Sequence, residues 1–437
     1  MKPTLKFFLR ILISAFIISS QLFAQDFWMN HPSPTNQYLS KCFFTDNMNG
    51  WISGDSGVII HTSNGGEDWV IQNTFTSSSI EEIFFINNRL GWALSYEVFP
   101  DSGSYLGTRV FTTTNGGELW SNAMFPDSNY FLRTIYFRDS LNGFTAGSPG
   151  KIFKTIDGGR RWTQTEIDST SKLILPVAEI KFLNSLTGYA SGGFRDIAGS
   201  MWKTTNGGSN WKVTIVGPEP LNDLFINSSS KIIAVGGDFE YGSSYVKTTN
   251  AGAVWTYDTL GIFGVAKGID FRTAGEGWIA IGEKFSYTLD TGKTWASIFT
   301  PDSVRIEDVC FTDSAHGWAV GYDGVILKYD NTKSSVSSGT NHIPNSFTLF
   351  QNFPNPFNPV TTINFDIHTT SVVSLKIYDM LGKEIFKFDE EKKLPGNYSV
   401  TFDATLNPTG TIIPSGIYFY ELRSGDMSEV KKMILLK

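Results

Sequence analysis

The sequence predicts an all-β chain, a seven-bladed β-propeller followed by a small Ig-like β-sandwich, and three observations predict it. A box, Thr62-Ser63-Asn64-Gly65-Gly66-Glu67-Asp68-Trp69, returns in near copies at 113–120, 155–162, 204–211, 248–255 and 288–295. A second mark, Gly followed by an aromatic residue, stands at Gly50-Trp51, Gly91-Trp92, Gly143-Phe144, Gly188-Tyr189, Gly277-Trp278 and Gly317-Trp318. From Ser346 onward the pattern changes to short alternating strands closed by turns.

Taken in order, residues 1–24 read as a secretory signal peptide. Lys2, Lys6 and Arg10 precede the apolar run Ile11–Ser20, and Leu22-Phe23-Ala24 offers a small-residue cleavage site. That run is far shorter than the roughly 20 residues a membrane span needs. No Cys follows the cleavage point, so a lipid anchor is not expected. The mature chain is expected to leave the cytoplasm.

Residues 25–332 hold the repeats. Each box reads as a β-hairpin turn. Its Asx (Asn64, Asn115, Asp157, Asn206, Asn250, Asp290) can accept amides ahead of it, and its Gly supplies positive φ. Its Trp (Trp69, Trp120, Trp162, Trp211, Trp255, Trp295) anchors the outgoing strand. An apolar run closing on Phe precedes each Gly-aromatic mark, so one unit gives four strands. The marks recur every 40 to 52 residues, the period of a propeller blade. The fifth unit departs, with Lys231-Ile232 in the equivalent place. The seventh has no box, and its outer strand is missing. Trp28 stands 16 residues before Phe44, as Trp69 does before Phe85. Phe27–Pro32 is therefore expected to supply that strand beside Val325–Tyr329 and close the ring.

Turns between second and third strands are minimal in units one, three and seven. Units two, four and five carry insertions at Tyr96–Gly107, Gly193–Ser200 and Gly237–Ser244, and the crossing Glu166–Val177 opens on the same rim. Aromatics beside charges there (Tyr96, Phe99, Tyr105, Phe194, Arg195, Phe239, Glu240, Tyr241) suit a peptide or glycan surface, or are ordinary solvated insertions. Cys42 and Cys310, on the first strands of units one and seven, are either a disulfide or two buried free thiols.

The net charge of −7 without a basic cluster argues against nucleic acid and anionic membrane surfaces. Five scattered histidines without a paired spacing give no metal site, and no cofactor is expected.

The box resembles the Asp-box, or bacterial neuraminidase, repeat. The whole unit is similar to propellers of the photosystem II stability and assembly factor type, over about residues 26 to 332. In the families resembled, the boxes lie at the periphery, away from the active face. An enzyme of sialidase type would need an arginine trio, a Tyr–Glu pair and an acid/base Asp. The Arg-Ile-Pro mark of that family is absent; Arg305-Ile306-Glu307 comes nearest, in the wrong unit. Arg109, Arg133 and Arg195 could reach one rim without any spacing that selects them. The chain reads as a non-catalytic binding protein, with an extracellular glycoside hydrolase as the alternative.

Residues 333–345 read as a linker. The tail, 346–437, opens on Gln351-Asn352-Phe353-Pro354-Asn355-Pro356-Phe357-Asn358-Pro359. Its strands are expected at Thr361–Ile367, Val372–Tyr378, Lys383–Phe388, Tyr398–Asp403, Gly416–Arg423 and Glu429–Leu435. That opening resembles the type A C-terminal sorting domain of the type IX secretion system. So do Ile377–Glu384, Pro414–Tyr420 and the terminal Lys431–Lys437. The resemblance implies secretion machinery as a partner and an address outside, or on the outer-membrane surface of, a diderm bacterium. A monomer that spans no membrane is expected.

Overall fold

The computed structural model describes residues 27–99, 103–168, 174–330, 347–367, 370–379, 383–394, 396–405, 413–424 and 427–436. The expected signal peptide and linker, and the centres of two tail turns, lie outside these. The chain divides into two units, 1–336 and 337–437. No described segment is an α-helix, and none is a helix long and apolar enough to cross a membrane.

In the first unit seven sheets of the described residues follow one another. Their first strands are Leu39–Phe44, Ile80–Phe85, Phe131–Phe137, Val177–Phe182, Leu221–Ile226, Gly268–Phe271 and Ile306–Phe311. In each, the next two strands continue the antiparallel ladder outward. These first strands pack one against the next in a closed cycle, the seventh against the first.

Four junctions, from sheet one through to sheet four and from sheet seven back to sheet one, are made by the same three rings. The Phe that ends a first strand lies opposite the Gly of the mark, as Phe44 does opposite Gly50. A Cβ on Gly50 would come within 2.2 Å of that ring, so only Gly fits under it. The aromatic of the mark then stacks on the Phe of the following sheet. Trp51 lies 3.7 Å from Phe85, Trp92 3.5 Å from Phe137, and Trp318 3.6 Å from Phe44, all nearly parallel. The box Trp meets its own sheet's Phe edge-on, as Trp69 meets Phe44 at 88°. The fifth sheet keeps the logic with other residues. Its ladder sets Ile226 opposite Ile232, so the equivalent pair is Ile232-Ile233 rather than Lys231-Ile232, and no Gly is needed under an Ile.

The box turns follow their chemistry. Thr62 Oγ1 accepts the Gly66 amide at 2.9 Å and donates to Asn64 Oδ1, which accepts the Asp68 amide at 3.0 Å. Gly66 has φ of 78°, a backbone state that a Cβ would strain.

The seventh sheet takes its fourth strand from the start of the described chain. Trp28–His31 runs antiparallel to Ile326–Asp330, with Trp28 opposite Tyr329 and His31 opposite Ile326. Trp28 is fully buried and meets Phe311 edge-on at 63°, in the place a box Trp takes elsewhere. It also stacks on Phe285 of the sixth sheet at 4.7 Å.

Two further expectations are corrected. The insertions are mostly not loops: their β-forming residues extend the ladders, pairing Val98 with Tyr105, Phe194 with Ala198 and Asp238 with Gly242. Of the described residues, only 195–197 and 239–241 turn between the second and third strands of sheets four and five, and part of the sheet-two tip lies outside the described residues. The crossing at 166 also begins as a strand, Glu166–Asp168, which pairs in parallel with the outer strand of sheet four.

The second unit is a two-sheet sandwich. Phe347–Leu349, Val360–Ile367 and Gly396–Asp403 form one sheet. Glu384–Lys393, Ser371–Tyr378, Gly416–Ser424 and Met427–Leu435 form the other. Ile363, Phe365 and Phe402 meet Ile377, Tyr420 and Met433 in one core. The strands match the expected ones to within a few residues, save that Glu384–Lys393 runs longer and Phe347–Leu349 is additional. Asn352 pins the opening stretch, its amide donating to the Tyr420 hydroxyl at 2.8 Å and its Nδ2 to Thr361 Oγ1 at 2.9 Å.

Replacing Trp28 by Ala empties the ring-closing core, which for a buried Trp costs about 3–5 kcal/mol. Urea titration of the mature chain is expected to show a loss of that size. A loss below about 1 kcal/mol would remove the closing strand from the account.

Candidate functional site

The rim opposite the boxes is built from the extended hairpins, and the expected residues fall into two groups there. In sheet two, Tyr105 stacks on Phe131 of sheet three at 3.5 Å and its hydroxyl donates to the Tyr130 carbonyl. Tyr96 meets Phe131 edge-on at 5.4 Å. Both tyrosines are half-buried, because the neighbouring sheet offers them an aromatic partner. Phe99 remains exposed. Arg109 is held by Glu97 at 2.9 Å and by Asn122 at 2.8 Å.

The second group spans sheets four to six. Phe194 and Phe239 are each about half exposed, and Tyr241 is 66% exposed. Phe263, after the outer strand of sheet five, is 72% exposed and lies 6.3 Å from Phe239. Arg195, Asp196 and Ile197 turn beside them, and Glu240 neighbours the Tyr241 hydroxyl and pushes it up. Sequence reasoning missed Ile197 and Phe263; the Gly-flanked Phe263 was the available signal.

Below these aromatics, Asp196, Glu219 and Asp238 bring carboxylate oxygens within 4.8 Å of one another. Asp238 accepts the amides of Glu240 and Tyr241, and Glu219 accepts that of Asp196 at 3.5 Å. Burial pushes the Glu219 carboxyl up. Of the described residues, these are the ones spaced to hold a cation. The sequence does not flag them, since they come from three different connections.

A cleft of about 500 Å³ lies elsewhere, lined by Lys151, Gln164, Glu166, Asp168 and Asn210. It borders the parallel strand of sheet four.

The ring axis holds a second unforeseen feature. Each first strand is a sheet edge, and an edge leaves amides unpaired. Side chains of the preceding sheet accept several of them. Thr134 accepts Ile180 N at 3.3 Å, Asp223 accepts Ile269 N at 2.9 Å, Asp270 accepts Phe311 N at 2.7 Å, and Asp308 accepts Cys42 N at 3.0 Å. Lys41 reaches Glu179 at 3.3 Å, and Lys181 reaches Asp223 at 2.9 Å. Burial opposes ionising Asp223, but Lys181, Lys41 and the Ile269 amide together outweigh it and hold that carboxyl below its usual range. Burial wins at Glu82 and Asp308, which are pushed up.

The box residues are engaged in the turns themselves. In Asp290 the Thr294 amide and hydroxyl pull the carboxyl down to about 2. Box carbonyls are taken as well: Trp51 Nε1 donates to Gly116 O and Trp92 Nε1 to Gly158 O. Cys42 and Cys310 are free thiols.

Two family models match this chain: residues 87–256 match the Photosynthesis system II assembly factor YCF48, and 351–436 match the Secretion system C-terminal sorting domain. The array is similar to Ycf48, and the tail matches the secretion-system sorting domain. The Photosystem II assembly lipoprotein Ycf48 of Synechococcus sp. (strain CC9902) is 25% identical over 264 residues, 57% of this chain and 76% of that one. A solved Ycf48 bound to D1 peptide superposes with a TM-score of 0.54 at 19% identity, covering 69% of this chain and 94% of that one. The GH74 enzyme of Niastella koreensis superposes with a TM-score of 0.54 at 14% identity, covering 92% of this chain and 73% of that one. At such identities both structures speak for the β-propeller fold alone. The sorting tail indicates export to the cell surface or beyond it.

Asp270 gives the ring axis a measurable pH signature. Burial pushes its carboxyl from 3.8 up to about 7, against the amides of Phe311 and Phe271. Between those values the folded chain holds a proton there that the unfolded chain has lost. Its contribution to stability therefore falls as pH rises through that window. The stability difference between wild type and Asp270→Asn is expected to fall from about pH 4 to about pH 7 in urea titrations. A difference that is flat or rising would refute the assignment.

Proposed function

We propose that the chain is an exported, non-catalytic seven-bladed propeller that holds a peptide segment, or a glycan, on the rim of sheets four to six. Its small Ig-like tail serves export. One observation carries the reading: Phe194, Phe239, Tyr241 and Phe263 stand exposed on adjacent connections, with Arg195 and Glu240 between them. Rigid aromatic anchors beside charges are what recognition surfaces use. Tyr96, Phe99 and Tyr105 make a smaller second patch on sheet two. The Ycf48 structure solved with a peptide supports a peptide as the first ligand class to try. Arg109 is already committed to Glu97, which disfavours a trio of free arginines for a sialidase-type site.

Peptide and glycan arrays probed with the mature chain are expected to give hits that Phe239→Ala with Tyr241→Ala weakens at least tenfold. Hits that survive this pair move the surface elsewhere, and turnover of any array glycan would make the protein an enzyme. Export tests the tail independently. Deleting 346–437 is expected to leave the chain inside the cell, and unchanged export would make the tail an adhesive domain only.

A further inference from the structure

The closing junction of the ring carries the chain's two cysteines. Cys42 lies on the first strand of sheet one and Cys310 on the first strand of sheet seven, and these strands pack side by side. Three contacts locate the Cys42 sulfur. It lies 3.7 Å from Asp308 Oδ2 and 3.8 Å from the carbonyl oxygen of Trp318, and the Cys42 amide donates to the same Asp308 oxygen at 3.0 Å. Trp318 is the cross-strand partner of Cys310. Asp308 precedes Cys310 by two residues, so both side chains leave the strand on one side. The Cys42 sulfur thus sits against the patch from which Cys310 projects, and both residues belong to one cluster with Trp69, Trp318 and Ile326. The two thiols are near enough for each to influence the other's ionisation.

We infer that Cys42 and Cys310 are oxidised to a disulfide once the chain has left the cytoplasm, making a covalent latch between the first and last sheets. The sorting tail supplies the compartment argument, since disulfides persist outside the cytoplasm and are reduced within it. With only two cysteines, the pairing within one chain has no competitor.

The reaction needs a disulfide acceptor, either a periplasmic thiol oxidoreductase or, in vitro, glutathione disulfide. One Cys attacks the acceptor as thiolate and expels one acceptor thiolate. The second Cys then attacks the mixed disulfide, forms the intrachain S–S bond and expels the other. Two electrons and two protons leave the protein, and the acceptor becomes two thiols. Burial pushes both thiols up, Cys42 the further, with Asp308 adding to each; Cys310 is the less buried member and so the one an acceptor reaches first. The reaction is therefore slow in the closed ring and faster while the junction is open. The latch ties the inner edge of a junction whose outer edge is already tied by Trp28–His31.

The test uses the full chain, recovered from the cell surface or medium, and alkylates it in denaturant. No thiol is expected to react without reductant and two after reduction, with both sulfurs found in one cross-linked peptide. The purified reduced chain, held in glutathione disulfide, is expected to gain thermal stability that Cys310→Ser does not gain. Two reactive thiols in the exported chain would overturn the latch, and so would a mixed disulfide with glutathione at Cys310 alone. Neither outcome depends on whether the serine variant folds, and neither depends on ligand binding at the rim.

Discussion

Four of the seven junctions in the first unit rest on a phenylalanine shared between different partners. At Phe44, Phe85 and Phe137 one side is covered by the stacked aromatic of the preceding sheet, while the box Trp of the same sheet meets the ring edge-on. Such pairs are worth about 0.5–1.5 kcal/mol each beyond the area they bury. The same ring forces Gly into the facing strand. A single sheet therefore cannot bury its own Phe, and the array is stable only as a succession in which each member completes the last.

That succession creates the closure problem. A linear stack leaves the first Phe uncovered on one side and the last aromatic with nothing to stack on. Here Trp318 of sheet seven covers Phe44 of sheet one, and Trp28 takes the box position against Phe311. Several amide edges at the axis close in the same direction, a carboxylate or hydroxyl of one sheet serving the next sheet's strand, with Asp308 serving Cys42 at the seam. The seam is thus built like the other junctions, but from residues at opposite ends of the array.

Much of this was legible because the signals are local. The Thr-Asx-Gly-Trp spacing is a turn whose parts bond within a few residues, and Phe and Gly of the mark face each other across one short turn. Trp28 was readable because its distance to Phe44 repeats an interval seen elsewhere. The slip at Lys231 came from matching a mark that sheet five does not use. What stayed hidden depends on the ring as a whole. Asp196, Glu219 and Asp238 arrive from three connections, and Lys41, Glu179, Lys181 and Asp223 meet across the axis. No periodicity announces either. The insertions misled for another reason: Tyr, Val and Phe mark a partner surface and a longer hairpin equally well, and only packing tells them apart.

The two faces of the ring differ in what they leave available. At the boxes the hydroxyl and Asx oxygens are spent on the turn's own amides, and carbonyls such as Gly116 O are spent on the neighbouring indole. A ligand arriving there would have to displace bonds on which the fold depends. At the opposite rim the backbone is satisfied by the extended hairpins, while the side chains at their tips, Phe194, Phe239 and Tyr241, are committed to little. A surface can bind without unmaking the fold only where those two conditions coincide, which favours the tips of sheets four and five over six well-formed boxes.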